Sequence, residues 1–322
     1  MKHRMLRWLG AAALAVSAAC GAHAAPKAAA PAPAPASAYV APVPLLWKVT
    51  GTAGSEVYLL GSIHMLTSAD YPLSADVDAA FKAANRLVFE LGPEDVSSPA
   101  LPMQMMQAAL RSDGRQLKDD LDAATWAKLS DYAARNKMPL ERLQGLKPWF
   151  VALTISIAQM TKLGMDPELG LDRHLMQLGQ KSGKPMSGLE TGLSQIKALD
   201  GMDAVEQRQL LAEALEHDAS GGLERQMHAA WRAGDAATLW EQMGVPMRKD
   251  YPQLYQRINV ARNTAWLPLL QPHLKANAGR TLVVVGALHL LGPDGVVEQL
   301  RGRGYAVERI CSACAPEKKS RR

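Results

Sequence analysis

The sequence predicts an α/β fold: a mixed, largely parallel sheet built from two βαβ halves with a long helical insert between them. Three observations carry this. A strand–helix–strand pattern occupies residues 57–91, a second one occupies residues 280–310, and the stretch from about 99 to 275 reads as mostly helical. With 322 residues, 48% apolar and 21% charged, the chain can bury a sizeable core. Only 3 Phe against 15 Met make that core aliphatic and Met-rich.

The elements follow in order. The folded body starts near Leu45. Trp47 to Thr50 and Val57 to Leu60 are short apolar runs separated by Gly51-Thr52-Ala53-Gly54-Ser55, which reads as a hairpin turn. Ser74 caps a helix running to about Asn85, with Val77, Phe81 and Ala84 at helical spacing. Arg86 to Leu91 is then a buried strand carrying Glu90 near its end, and strand–helix–strand implies parallel pairing. In the insert, Leu210, Leu211, Ala214 and Leu215 share one helical face. The run from Trp149 to Met160 is apolar but only a dozen residues, and Lys162 follows, so it is a core helix rather than a membrane span. Gly183 to Glu190 forms a brief strand leading to a turn and a helix, and Gly234-Asp235 and Asn277-Ala278-Gly279 punctuate helix ends. Arg280 to Val285 is a continuous apolar strand of the fully buried kind. Pro293-Asp294-Gly295 opens a helix through Leu300, and Tyr305 to Ile310 is the last strand.

The two ends of the chain speak of compartment. Met1 to Arg7 is basic, Trp8 to Ala19 is a short apolar stretch, and Ala22-His23-Ala24 is an A-x-A cleavage site, so residues 1–24 read as a secretory signal peptide. Cys20 offers a lipoprotein alternative, but Ser17-Ala18-Ala19 lack the large aliphatic expected three positions before the cysteine. A periplasmic or secreted destination follows. Residues 25–44 are an Ala/Pro spacer, extended and unable to bury a core. After cleavage Cys311 and Cys314 remain. No second pair completes a zinc site, and the chain end is the wrong place for a thioredoxin-type pair, so a short-loop disulfide is expected.

The net charge of +5 is concentrated at the ends, in Lys2, Arg4 and Arg7 and in a basic tail at residues 315–322. The body between is close to neutral and has no electrostatic footprint for nucleic acid.

The two halves echo each other. Leu59-Leu60-Gly61-Ser62-Ile63-His64-Met65-Leu66 aligns with Val284-Val285-Gly286-Ala287-Leu288-His289-Leu290-Leu291. The bare Gly-x-x-His spacing is weak in a chain with 25 Gly and 8 His, and the strand before each copy makes the pair informative. Ligands of parallel α/β sheets bind beyond the carboxyl ends of the strands. Two such turns on adjacent strands bring His64 and His289 together, and Glu90 ends another strand on the same edge. Imidazole plus carboxylate suits a divalent transition metal with open positions for water. A single histidine in an apolar run is otherwise a hydrogen-bonded core residue. His174, His217, His228 and His273 lie in helical, polar stretches and are expected at the surface or in packing.

At these residues the sequence resembles the TraB/GumN/PrgY family. GSIHMLTSADYPLSADVDAAFKAANRLVFEL looks like its opening motif and SGLETGLSQIKAL like its central Glu motif. ARNTAW and VVVGALHLLGPDGVVEQLRGRGYAVERI look like its closing motifs. The resemblance covers roughly residues 45–310. It implies an erythromycin esterase/ChaN-like/Tiki-like fold, and the related Tiki proteins are described as metal-dependent proteases. It implies a site of His64, His289, Glu90 and Glu190, with Gln195 and Arg262 in matching segments. Arg262 is then either a binder of a substrate carboxylate or oxyanion, or a salt bridge holding the insert onto the sheet. Glu190 is read as beginning a helix, where a structural role competes. Ala261 stands where an acidic residue is common in relatives.

The expected function is an exported metal-dependent hydrolase acting on a peptide or other small substrate. His64, His289, Glu90 and Glu190 would hold Mn, Co or Zn, with one carboxylate as general base. The alternatives are a metal-independent esterase or amidase with a histidine base oriented by Glu90, and a non-catalytic peptide- or haem-binding protein.

Overall fold

The computed structural model describes residues 39–216, 221–275 and 279–314. The predicted signal peptide, most of the spacer, His217, Asn277-Ala278 and the basic tail lie outside the described residues.

Six strands form one sheet in the order β4-β3-β5-β2-β1-β6. They are β1 (Leu46–Thr50), β2 (Glu56–Ser62), β3 (Arg86–Leu91), β4 (Met186–Glu190), β5 (Arg280–Gly286) and β6 (Ala306–Ile310). β1 and β2 make the predicted antiparallel hairpin, with Trp47 opposite Leu59. β2, β5, β3 and β4 run parallel to one another. β6 pairs antiparallel with β1 at the far edge. The sheet is thus mixed and mostly parallel, as predicted.

The βαβ reading needs one refinement. β2 leads through α1 (Ala75–Ala83) to β3, but β5 inserts between them, so the first unit is split by the last apolar strand of the chain. The second unit, β5 through α10 (Val296–Gly302) to β6, skips over β2 and β1. The most apolar runs therefore take the positions with neighbours on both sides. β5 is buried from Thr281 to Gly286, and β3 from Leu87 to Leu91.

Local signals explain the helix limits. The Ser74 hydroxyl accepts from Val77 N at 3.5 Å and starts α1. The insert carries α2 (Ala100–Ala109), α3 (Ala123–Arg135), α4 (Pro148–Lys162), α5 (Leu171–Lys181), α6 (Gly192–Asp200), α7 (Ala204–Leu215), α8 (Gly222–Arg232) and α9 (Ala261–Leu274). It is not purely helical, because β4 lies within it. Glu190 closes β4, and Thr191 is the residue that caps α6. The expectation that Glu190 begins a helix is corrected accordingly. Two wide π-type turns, Trp240–Gly244 and Gln256–Val260, interrupt the stretch leading into α9.

Two apolar clusters result. One joins both sheet faces to their covering helices, around Leu59, Phe89, Val284, Trp266, Leu274 and Leu300. The other lies inside the insert, around Leu101, Leu129, Trp149, Ile155, Leu199 and Leu211. The carboxyl ends of β2, β3, β4 and β5 face the seam between the clusters. Cys311 and Cys314 form the expected disulfide, and the adjoining turn is tied to α1 by Ser312, whose backbone N–H and hydroxyl both donate to Asp76. No helix among the described residues is long and apolar enough to cross a membrane.

Candidate functional site

Both Gly-x-x-His turns leave neighbouring parallel strands, with Ser62 of β2 paired to Gly286 of β5. The turns nearly touch: a Cβ on Gly61 would lie 3.1 Å from the Ala287 Cα, so a glycine is what lets the second turn pack over the first. A Cβ placed on Gly286 marks the centre of the site. It would lie 3.2 Å from Glu90 Oε1, 3.6 Å from the His289 ring and 3.8 Å from His64 Nε2. The two histidines and Glu90 therefore converge from three separate segments, as the sequence predicts.

Glu90 is buried. Its Oε1 accepts from Gly286 N–H at 2.7 Å, and its Oε2 accepts from Arg262 Nη2 at 2.6 Å. Arg262 is the hub. It also holds Glu190 through Nε, at 3.1 and 3.2 Å from the two carboxylate oxygens, and through Nη2, and its Nη1 lies 3.0 Å from His289 Nε2. Gln195 donates to Glu190 at 2.7 Å and to Glu90 at 3.3 Å. Of the two roles predicted for Arg262, the salt bridge tying the insert to the sheet is the one these contacts make: α9 is clamped to the ends of β3 and β4. The guanidinium also stacks on Trp266, whose ring lies 4.5 Å from that of His289.

Each histidine has a backing residue that the sequence reading did not single out. His289 Nδ1 lies 2.6 Å from Asn263 Oδ1, so it donates there and leaves Nε2 to accept from Arg262. His64 Nδ1 lies 3.0 Å from Asp172 Oδ1 at the start of α5. The segment before Asp172 clasps the first turn: Leu171 N donates to Ile63 O, and Leu66 and Asp166 exchange backbone bonds. A Cβ on Gly170 would collide with the His64 carbonyl. The one cue in the sequence is the Gly170-Leu171-Asp172 run at a helix start, which is not specific by itself.

These contacts set the charges. Burial opposes a charge on His64, but the Asp172 carboxylate outweighs it and lifts the imidazole to about 9. Burial, with Arg262 adding to it, drives His289 down to about 3, so it is neutral. Burial would raise Glu90, yet Arg262 foremost, with the imidazoles and the Gly286 N–H, holds it down near 2. The same carboxylates raise Arg262 further above its already high value against the effect of burial.

A cavity opens from this cluster into the insert. Ser62, His64, Gln195, Arg262 and His289 line one end, and Trp149, Leu153, Leu199, Leu210, Leu254 and Ile258 form an apolar wall. Ser62 Oγ, His64 Nε2 and Gln195 Oε1 are buried without a hydrogen-bond partner. Such groups are costly unless a ligand or water completes them.

Among the other histidines, His273 packs against Thr281 and His174 against Tyr71. His228 and Arg232 both pair with Asp70, which is fully buried. That cluster fastens the loop after the first turn to α8.

This fold and this pair of turns define a protein class, and residues 45–309 match the TraB/PrgY/gumN family; the chain belongs to it. Two similar proteins are the uncharacterized protein YbaP of Escherichia coli strain K12 and YbaP of Shigella flexneri. The first is 26% identical over 263 residues, covering 79% of this chain and 90% of that protein. The second is 27% identical over 254 residues, covering 76% and 87%. No solved structure matches.

Proposed function

We propose that this protein is an exported hydrolase of amide or ester bonds whose reacting centre lies beside Gly286. The convergence of His64 Nε2, Glu90 Oε1 and His289 on that point carries the reading. His64, held protonated by Asp172, donates a proton to the leaving group or to the developing oxyanion. Glu90 Oε1, the carboxylate oxygen nearest that point, accepts the proton of an attacking water. Groups whose environments push their pKa values apart make such an acid–base pair. Arg262, Gln195 and the Gly286 N–H hold Glu90 in place.

The residue types suit a divalent metal, but their arrangement does not fit one. Catalytic zinc sites keep three protein donors around the ion. Glu190 and His289 face the Arg262 guanidinium, which stands where a second cation would have to sit. Among the described residues no group of three His, Cys, Asp or Glu is placed to hold an ion. Export is supported by the basic–apolar–A-x-A start and by the disulfide, which belongs to oxidising compartments.

The test is turnover of a panel of capped peptides and alkyl esters by the wild type, His64→Asn and Glu90→Gln, with and without chelator, alongside elemental analysis. Loss of turnover in both variants with a chelator-insensitive wild type is expected. Chelator-sensitive activity with a bound Mn, Co or Zn that His64→Asn loses would restore the metal-dependent form. A wild type that turns over nothing on the panel would remove the hydrolase reading, and visible absorbance would then check haem.

A further inference from the structure

The cavity beyond the acid–base pair is walled by the insert and has a distinctive chemistry. Its wall includes Trp149, Leu153, Leu199, Leu210 and Leu254 and, among the described residues, no acidic or Lys side chain. Its one arginine, Arg262, is already paired with Glu90 and Glu190. A cationic group entering there would lose its hydration without gaining a counter-ion, and an anionic one would find a cation only at His64 beside the reacting centre, whereas an apolar group would replace water along the greasy wall.

Two carboxamides interrupt this wall. Gln195 Nε2 is committed to the two glutamates, which identifies the other end of the amide as oxygen. That Oε1 is buried and accepts from nothing. Asn259 is 1% exposed and also lines the cavity. Apart from an approach to the Tyr255 hydroxyl, its carboxamide makes no hydrogen bond of ordinary length. Asn259 lies in the π-type turn that feeds α9 and lines the cavity together with Arg262. Unpaired buried acceptors call for N–H donors in the ligand. An alkyl ester or acyl chain brings none, and a peptide group brings one donor and one acceptor.

We propose that the insert builds a specificity pocket for one large, uncharged apolar side chain of a peptide ligand, and that Asn259 is the residue that recognises the adjoining main-chain amide, with Gln195 Oε1 taking a second N–H. This rests on the hydrolase reading only for where the scissile bond lies.

The experiment is isothermal titration of the full chain with acetyl-Ala-X-Ala-amide peptides, X being Leu, Asp or Lys, and with octyl acetate as an amide-free apolar probe. The Leu peptide is expected to bind at least about tenfold tighter than the charged ones, the scale of stranding a charge or a buried hydrogen-bonding group. Asn259→Leu is expected to weaken the Leu peptide by about tenfold and to spare octyl acetate, with Asn259→Gln recovering part of the loss. Equal binding of the three peptides, tighter binding of octyl acetate than of the Leu peptide, or an unaffected Asn259→Leu would overturn the proposal. If the Asn259 variants do not fold, the peptide series on the wild type still decides. Binding of the Leu peptide without cleavage upholds this pocket and removes the hydrolase reading. Cleavage of all three peptides alike does the reverse.

Discussion

Arg262 gathers Glu90, Glu190 and His289 onto one side chain. It neutralises two nearly buried carboxylates at once, so its removal strands both. Arg262→Ala should cost about 3 to 5 kcal/mol in a urea unfolding experiment, the range for breaking a buried pair. Arg262→Lys should recover only part, because an ammonium cannot serve Glu90, Glu190 and His289 in one plane. A loss below about 1 kcal/mol for the alanine variant would contradict the clamp. His64 gives a second residue-scale test. Its raised pKa comes from Asp172, so in Asp172→Asn the imidazole should titrate well below 9 by NMR. If His64 acts as the acid, wild-type kcat/KM declines as pH rises through about 9, and in Asp172→Asn that decline moves to lower pH. A pH profile that is the same in both proteins would detach His64 from the reaction.

At the scale of elements, the site is held by loops that lock onto one another. The segment Asp166–Asp172 supports the first turn, and Ala287 of the second turn packs over Gly61. Gly170→Val should therefore displace the His64 carbonyl, costing about 1 to 3 kcal/mol by overpacking and depressing activity beyond that loss of stability. Full activity at unchanged stability would mean that the clasp is slack. These supports were the least legible part of the sequence. The strand, Gly-x-x-His and strand-end Glu patterns are local, and they read correctly. Asp172 and Asn263 sit in ordinary helical sequence 108 and 26 residues from the histidines they orient, and no periodicity links them. Glu190 closes the brief strand, and the helix start belongs to Thr191 one residue later. That strand, Glu190 included, is only five residues long and is made by pairing with β3.

For the whole molecule, the buried ionisable groups define a pH window of stability. Glu90 and His289 both titrate lower in the folded chain than in the unfolded one. Their stabilisation is present above their unfolded values, near 4.5 and 6.5, and is lost as pH falls toward about 2 and 3. His64 titrates higher when folded, so its contribution is complete below about 6.5 and is lost as pH rises through about 9. Urea midpoints should therefore be highest around neutral pH and drop on both sides, the acid decline starting below about 6.5. A midpoint constant from pH 7 down to 4 would count against buried, neutral His289. The Cys311–Cys314 bridge closes so short a loop that Cys311→Ser/Cys314→Ser should cost no more than about 2 kcal/mol.

The sequence by itself determined the α/β class, the split of the chain into two strand-rich ends around an insert, the disulfide, and the expectation that His64, His289, Glu90, Glu190 and Arg262 cluster together. Those features follow from periodicity, from motif spacing and from the family the motifs resemble. Only the tertiary structure decided that β5 slips between β2 and β3, that Arg262 sits among the carboxylates as a clamp, and which partner sets the charge of each imidazole. Strand order and ionisation depend on what lies across space, and a linear pattern carries no record of the neighbour that burial brings within hydrogen-bonding reach.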